Sequence, residues 1–256
     1  MAGLERYMAV LRLFGEAEGA WTVQAMADAL AAPQSTVYRT VRDLLAAGLL
    51  ETGVDASYRL GPAFIEFDRL TRLTDPLLRA AMPVLEDVVA QARRPCVGLL
   101  SRLYDDQVMC IADRASPDAH FRPSYERGRP MPLMQGATSK VILARLPARR
   151  LAKLLAHAGK SADDGLRADL AAIRRQGFCV GRGEIDRGLA GLAAPIVCED
   201  AGLVASLSLV LESDGLDAAE ERRLVLLLVS AAAMIEAALR ATFLPSEEKI
   251  AAPLMT

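Results

Sequence analysis

Between Pro33 and Gly48 the chain can do little except form one helix with two unlike faces. Pro33 suits a first helical position, where its fixed φ fits and its missing N–H is not needed. Gly48 supplies the left-handed residue that stops the helix at about Ala47. At about 100° per residue, Val37, Val41, Leu44 and Leu45 fall on one side. Ser35, Arg39 and Arg42 fall opposite, flanked by Thr36 and Asp43. Such a helix needs partners on its apolar side and none on the other.

The partners precede it. Leu4, Met8, Leu11 and Phe14 recur at helical spacing before Gly15. Thr22 can cap a second helix with Val23, Met26, Ala27 and Leu30 inward, and Ala31-Ala32 gives a short turn. After Gly48, residues 49–51 and Ser57–Leu60 read as strands around the turn Thr52-Gly53-Val54-Asp55. Three helices, the last two tightly joined, then a hairpin is the order of a winged helix-turn-helix. The polar side of the third helix could then enter a major groove, with arginines for guanine edges or phosphates and hydroxyls for backbone oxygens. The rival reading is an ordinary solvated helix face. Residues 1–60 carry five arginines against seven acids, so any positive field must be local.

Gly61-Pro62 marks a boundary. Helices are expected over residues 63–73 and 77–93, the second opened by Asp75-Pro76. The period then changes: residues 96–103 and 107–111 read as strands, with 120–125 as a third. Helices are expected at 136–144, 147–156 and 163–176, strands at 178–182, 192–197 and 203–211, and a long helix at 217–241. This is an α+β chain whose second domain has a mostly antiparallel sheet. The expected division is a winged helix-turn-helix over 1–61, a linker helix over 62–76, a sheet domain over 77–241 and a mobile tail over 242–256.

Composition narrows the function. The chain has 256 residues, 52% hydrophobic, with a net charge of −2. That leaves ample apolar surface for real cores and no chain-wide basic field. Cys96, Cys110, Cys179 and Cys198 lie in or beside apolar runs without a C-x-x-C, which reads as buried thiols in a reducing compartment. Glu5 and Arg6 interrupt any export signal, and the apolar run 224–235 is short for a bilayer span, so a cytoplasmic chain without a membrane partner is expected. Catalysis is not expected: His120 and His157 lack a nucleophile partner, and no G-x-S-x-G or phosphate loop is present. No cofactor is expected. The acids Asp113, Asp118 and Glu126 near His120 are the one candidate metal cluster, and no metal is assigned to them.

A resemblance joins these readings. Ala32-Pro33-Gln34-Ser35-Thr36-Val37-Tyr38-Arg39, then Leu44, Gly48-Leu49 and Tyr58-Arg59-Leu60-Gly61, resemble the IclR family of bacterial transcriptional regulators. Gly128-Arg129-Pro130-Met131-Pro132-Leu133 through Ser139-Lys140 is similar to the family's G-x-x-x-P-L…G-K segment. Arg174-Arg175-Gln176-Gly177-Phe178 and Gly188-Leu189 to Ala193-Ala194-Pro195-Ile196 follow in order, so the likeness spans residues 4–240.

The resemblance implies a GAF-like effector domain behind the winged helix-turn-helix and linker helix. It implies a homodimer or dimer of dimers on a partly palindromic double-stranded operator, and favours a repressor of catabolic genes. The recognition face carries onto Gln34, Ser35, Thr36, Tyr38, Arg39 and Arg42, with Arg59 of the hairpin near a phosphate. The effector positions carry onto Met131, Ala137, Thr138, Gly181, Leu189, Gly191, Ser208 and Val210. A helix starting near Gly136 would favour an anion at its N–H groups, so a small carboxylate is the expected effector. Gly181, Gly191 and Val210 stand where relatives often carry more polar or bulkier residues. A larger, less polar cavity is therefore expected, suited to an aromatic or branched acid, with Arg122 and Arg129 as charge partners. Several rivals stay open: Ser208 as a strand serine bonded to backbone, Met131 and Leu189 as plain core, Lys140 as a surface cation. So does a regulator without an effector, whose second domain serves assembly only.

Overall fold

The computed structural model describes residues 3–157 and 164–243. They form two compact units, divided in the sequence between Thr74 and Asp75.

The first unit runs α1 (Gly3–Leu11), β1 (Trp21–Thr22), α2 (Val23–Ala29), α3 (Gln34–Ala46), β2 (Leu50–Thr52), β3 (Ser57–Leu60) and α4 (Ala63–Thr74). Its core is Val10, Met26, Ala27, Val37, Val41, Leu44 and Leu50, the apolar faces of three helices closing on the root of the hairpin. Thr22 caps α2 as expected, its Oγ1 accepting from the Ala25 N–H at 3.2 Å. Gly48 takes a φ of +69° just beyond α3.

Four details differ from the sequence reading. Pro33 sits one place earlier, as the residue before α3, where its carbonyl accepts from the N–H groups of Thr36 and Val37. Thr40 joins the inner side of α3 while Leu45 packs at its edge, only partly buried; the Thr40 hydroxyl returns to the Thr36 carbonyl at 3.0 Å, so burial leaves it satisfied. Helix α1 stops at Leu11, with Val10 fully buried and Leu4 exposed. Trp21-Thr22 pairs with β3 through Trp21↔Tyr58 and Thr22↔Ser57, so the hairpin becomes a three-stranded sheet in the order β1-β3-β2. A two-residue strand is too short to show any period.

The second unit opens with α5 (Pro76–Ala92), whose start is capped by Asp75 through the Leu77 and Leu78 N–H groups. There follow β4 (Cys96–Tyr104), β5 (Gln107–Ala115), β6 (Pro130–Met131), α6 (Gly136–Arg145), α7 (Ala148–His157), α8 (Asp164–Gln176), β7 (Cys179–Arg182), β8 (Leu189–Cys198), β9 (Leu203–Glu212) and α9 (Ala218–Phe243). The strands form one sheet in the order β6-β5-β4-β9-β8-β7, every neighbouring pair antiparallel. On one face Leu192, Ala194 and Ile196 of β8 and Leu207, Leu209 and Leu211 of β9 pack with α5 and α9. On the other, Ala193, Val210, Leu99 and Cys110 pack with α6 and α8. Both faces are covered, which is why β8 and β9 read as continuous apolar runs instead of alternating ones.

Residues 120–125 form no strand. Ser124 is held by a side chain in place of a strand partner: its N–H and hydroxyl donate to Asp186 at 2.9 and 2.5 Å. The edge strand is β6, paired through Val108↔Met131 and Met109↔Pro130. Helix α9 is longer than the apolar run suggested and has an 18-residue stretch of mean hydropathy 2.0, enough by length and composition to span a bilayer. Packing on the sheet accounts for part of that apolarity, with Leu224, Leu228, Ile235 and Leu239 buried, while Leu226 and Met234 on the same helix are exposed. Thr242 and Phe243, expected in the tail, complete its last turn; the rest of the expected tail, residues 244–256, lies outside the described residues.

Candidate nucleic-acid interface and effector pocket

Helix α3 presents Gln34, Ser35, Tyr38, Arg39 and Arg42 to solvent, with Thr36 half-buried at their edge. Tyr38 is 57% exposed, unusual for so large a ring in a helix whose other side fills a core. Gln34, Ser35, Tyr38 and Arg39 line an open hollow of about 740 Å³ together with Gln24 of α2 and Tyr58 of the hairpin. Gln24 and Tyr58 were missed because only the folded sheet brings them alongside α3.

The charges are locally arranged. Arg39 Nε donates to its own helix at the Ser35 carbonyl, 3.3 Å away, which stretches the side chain along the exposed face. Asp43, the acid that flanks this face, accepts from the Tyr7 hydroxyl at 2.9 Å and lies 3.5 Å from Arg42. Arg59 does not stand alone: it pairs with Glu51 directly across β2 and β3 at 2.6 Å. A guanidinium has donors to spare beyond one carboxylate, so that pair shapes the charge of Arg59 without consuming it.

In the second unit a small cavity lies between the start of α6 and strands β7, β8 and β9. Ala137, Thr138, Gly181, Leu189, Gly191 and Val210 line it, six of the eight expected residues. Ser208 sits behind, its hydroxyl accepting from Thr138 Oγ1 at 3.0 Å, in place of the backbone bond its rival reading foresaw. Met131 is buried in the same apolar cluster on β6 but does not line the cavity.

The enlarged cavity does not occur: its volume is about 30 Å³. The space left by the glycines is filled by residues that sequence reasoning missed, Tyr125, Glu184, Ile185 and Asp186. A Cβ at Gly181 would stand 2.7 Å from Glu184 Oε1, and one at Gly136 would stand 3.0 Å from Ile185 Cγ1. The acids of the 183–188 loop, so close to two glycine strand positions, were the available signal. Nothing in their spacing shows the loop folding back.

The charge partner also differs from expectation. Arg122 and Arg129 are exposed and do not line the cavity. Lys140 does not line it either, but its side chain is only 15% exposed and its Nζ lies 2.8 Å from Oε2 of Glu184, which does. Burial works against its charge, but the hydrogen bond and charge of Glu184 outweigh burial and hold the ammonium pKa above its ordinary value. Tyr125 bridges Ser139 at 2.8 Å, and burial pushes its phenol up to about 12. The four cysteines are free and buried. Among the described residues no three His, Cys, Asp or Glu side chains gather at metal-binding spacing. A larger open cleft of about 780 Å³, with Arg145, Arg174, Asp200 and Glu236 on its walls, contains none of the expected residues.

Most of the chain finds known counterparts. A family model described as the IclR helix-turn-helix domain matches residues 3–53. One described as the bacterial transcriptional regulator IclR C-terminal domain matches residues 73–237. A Pca regulon regulatory protein of Pseudomonas putida is 24% identical over 216 residues, covering 81% of this chain and 73% of that protein. An IclR homolog of Microbacterium hydrocarbonoxydans, solved in complex with 4-hydroxybenzoate, superposes with a TM-score of 0.76 at 26% identity, covering 93% of this chain and 99% of that one. An IclR-type protein of Silicibacter sp. TM1040 shares the fold at a TM-score of 0.79 and 20% identity, covering 92% of this chain and 95% of that one. The relatives are transcriptional regulators and not enzymes. A winged helix-turn-helix followed by a helix-flanked antiparallel sheet, matched over both units, places the chain in the IclR family of bacterial transcriptional regulators.

Proposed function

We propose that this regulator is a cytoplasmic repressor of catabolic genes, controlled by a small aromatic carboxylate. It reads a partly palindromic double-stranded operator as a homodimer or dimer of dimers. Gln34, Ser35, Thr36, Tyr38, Arg39 and Arg42 are the reading face and Arg59 a phosphate contact. The observation that carries this is the exposed side of α3, where an aromatic ring and two arginines stay wet on a helix otherwise committed to the core. A module of net negative charge binds weakly through bulk attraction. Two-fold repetition of specific contacts makes up the difference.

The effector site in this reading is the cavity of Ala137, Thr138, Gly181, Leu189, Gly191 and Val210, with Ser208 and Met131 behind it. The Microbacterium homolog's 4-hydroxybenzoate supports an aromatic acid. One observation favours the second reading, a regulator whose sheet domain serves assembly only: a cavity of about 30 Å³ has room for little more than a water molecule.

The test is reciprocity. Operator affinity is measured by fluorescence anisotropy on a duplex from the chain's own upstream region, with and without 4-hydroxybenzoate. Acid affinity is measured with and without the duplex. The two factors are expected to be equal. An acid that binds yet leaves operator affinity unchanged overturns effector control and leaves the assembly reading.

A further inference from the structure

The effector reading calls for an anion at the start of α6, and one is already there. Gln135, the residue before the helix, offers no side-chain cap. Instead Glu184, far along the chain, brings Oε2 to the Gly136 N–H at 3.1 Å and to Lys140 Nζ at 2.8 Å. Its other oxygen occupies the space over Gly181, where any Cβ would collide with it. The next two residues keep it in place. Ile185 lies against Gly136, and Asp186 is fastened by both the N–H and the hydroxyl of Ser124. Together the three close the cavity that the glycines opened.

We infer that Glu184 is a built-in occupant of the effector's anion site, so that a small carboxylate binds only by displacing the Glu184 carboxylate from the Gly136 amide and Lys140. This rests on the effector reading of the same cavity. Two carboxylates cannot share one amide and one ammonium without strong repulsion. Exchanging one for the other is close to neutral in charge and hydrogen bonds. The net affinity must therefore come from the apolar body of the ligand, laid over Gly181, Gly191, Leu189 and Val210. The site thus rejects bare short acids and takes carboxylates that carry a flat apolar group. The 183–188 loop is the element that differs between empty and loaded protein. The closed form lowers apparent affinity by the fraction of molecules that are open.

The test is calorimetric titration of the full chain with 4-hydroxybenzoate, its uncharged counterpart 4-hydroxybenzamide, and acetate. Glu184→Gln is expected to bind 4-hydroxybenzoate about tenfold tighter than wild type or better. The amide is expected to gain less, and acetate to stay weak throughout. Asp186→Asn loosens the loop with Glu184 in place. It is expected to tighten acid and amide by similar factors, and it carries the test alone if the first variant does not fold. Acid binding that is unchanged or weaker in both variants, or a wild type that prefers the amide to the acid, overturns the inference and leaves the effector reading standing. If neither aromatic probe binds any of the folded proteins while all bind the operator, the effector reading and the inference fall together.

Discussion

Thr138 Oγ1 donates to Ser208 Oγ across 3.0 Å, between α6 and β9, with both side chains shut off from water. The Thr138 hydroxyl proton is therefore satisfied by the Ser208 oxygen behind the pocket. Ser208→Ala leaves Thr138 with a buried donor and is expected to lower stability by about 1–2 kcal/mol. Thr138→Val with Ser208→Ala is expected to cost less than the two single changes added, because the pair is removed together. Urea unfolding of the three variants measures both quantities. Strict additivity would mean that the hydroxyls do not interact.

Arg39 lies on the exposed side of α3 and anchors its Nε to the carbonyl of Ser35, within its own helix. Arg39→Ala is expected to weaken operator binding by about tenfold or more, the ordinary worth of an arginine on a base edge or phosphate. The melting temperature should stay within a degree or two of wild type. Unchanged operator affinity would remove α3 from the reading face.

The Arg59–Glu51 pair predicts an effect of opposite sign. Glu51→Ala leaves the guanidinium without its cross-strand acid. DNA binding is expected to strengthen, and the slope of log affinity against log salt to steepen. The pair is exposed on both sides, so stability should barely change. Weaker binding in the variant would show that Glu51 positions the hairpin instead of competing for Arg59.

The alkaline limb of stability follows from buried neutral groups. Burial pushes the Cys110 thiol up to about 12 and those of Cys96 and Cys179 up to about 11, from 9.0. Tyr125 rises from 10.0 to about 12. Each folded pKa lies above its unfolded value, so the unfolded chain gives up these protons first. The contribution is fully present below about pH 9 and is lost as pH climbs toward 12, by up to about 1.4 kcal/mol per unit for each group in its window. Melting temperature should therefore be level from these groups between pH 6 and 8 and fall steeply above 9. Cys110→Ala should flatten that fall, and an unaltered slope would mean that other groups control it.

Much of this was legible in the chain because it depends on local period. Val37, Val41 and Leu44 announce the inner side of α3, and Asp75-Pro76 announces a capped start, since both are rules of a single helix. Thr138, Gly181 and Gly191 come together around one cavity because they sit at strand and helix positions fixed by neighbours in sequence. What escaped depends on distant parts meeting. The Trp21–Tyr58 pairing, the Ser124–Asp186 fastening and the reach of Glu184 to Gly136 each join segments that share no period. The same gap explains the error over cavity size. Glycines reveal where space is left by one strand, and only the fold reveals which side chain comes to fill it.

The strand β6 has a meaning beyond closing the sheet. It is two residues long, and Pro130, with no N–H to offer, is one of them. At this margin of the sheet a foreign extended chain finds no continuous row of donors on which to align. Strand-by-strand extension of the sheet is thus denied a starting template at β6.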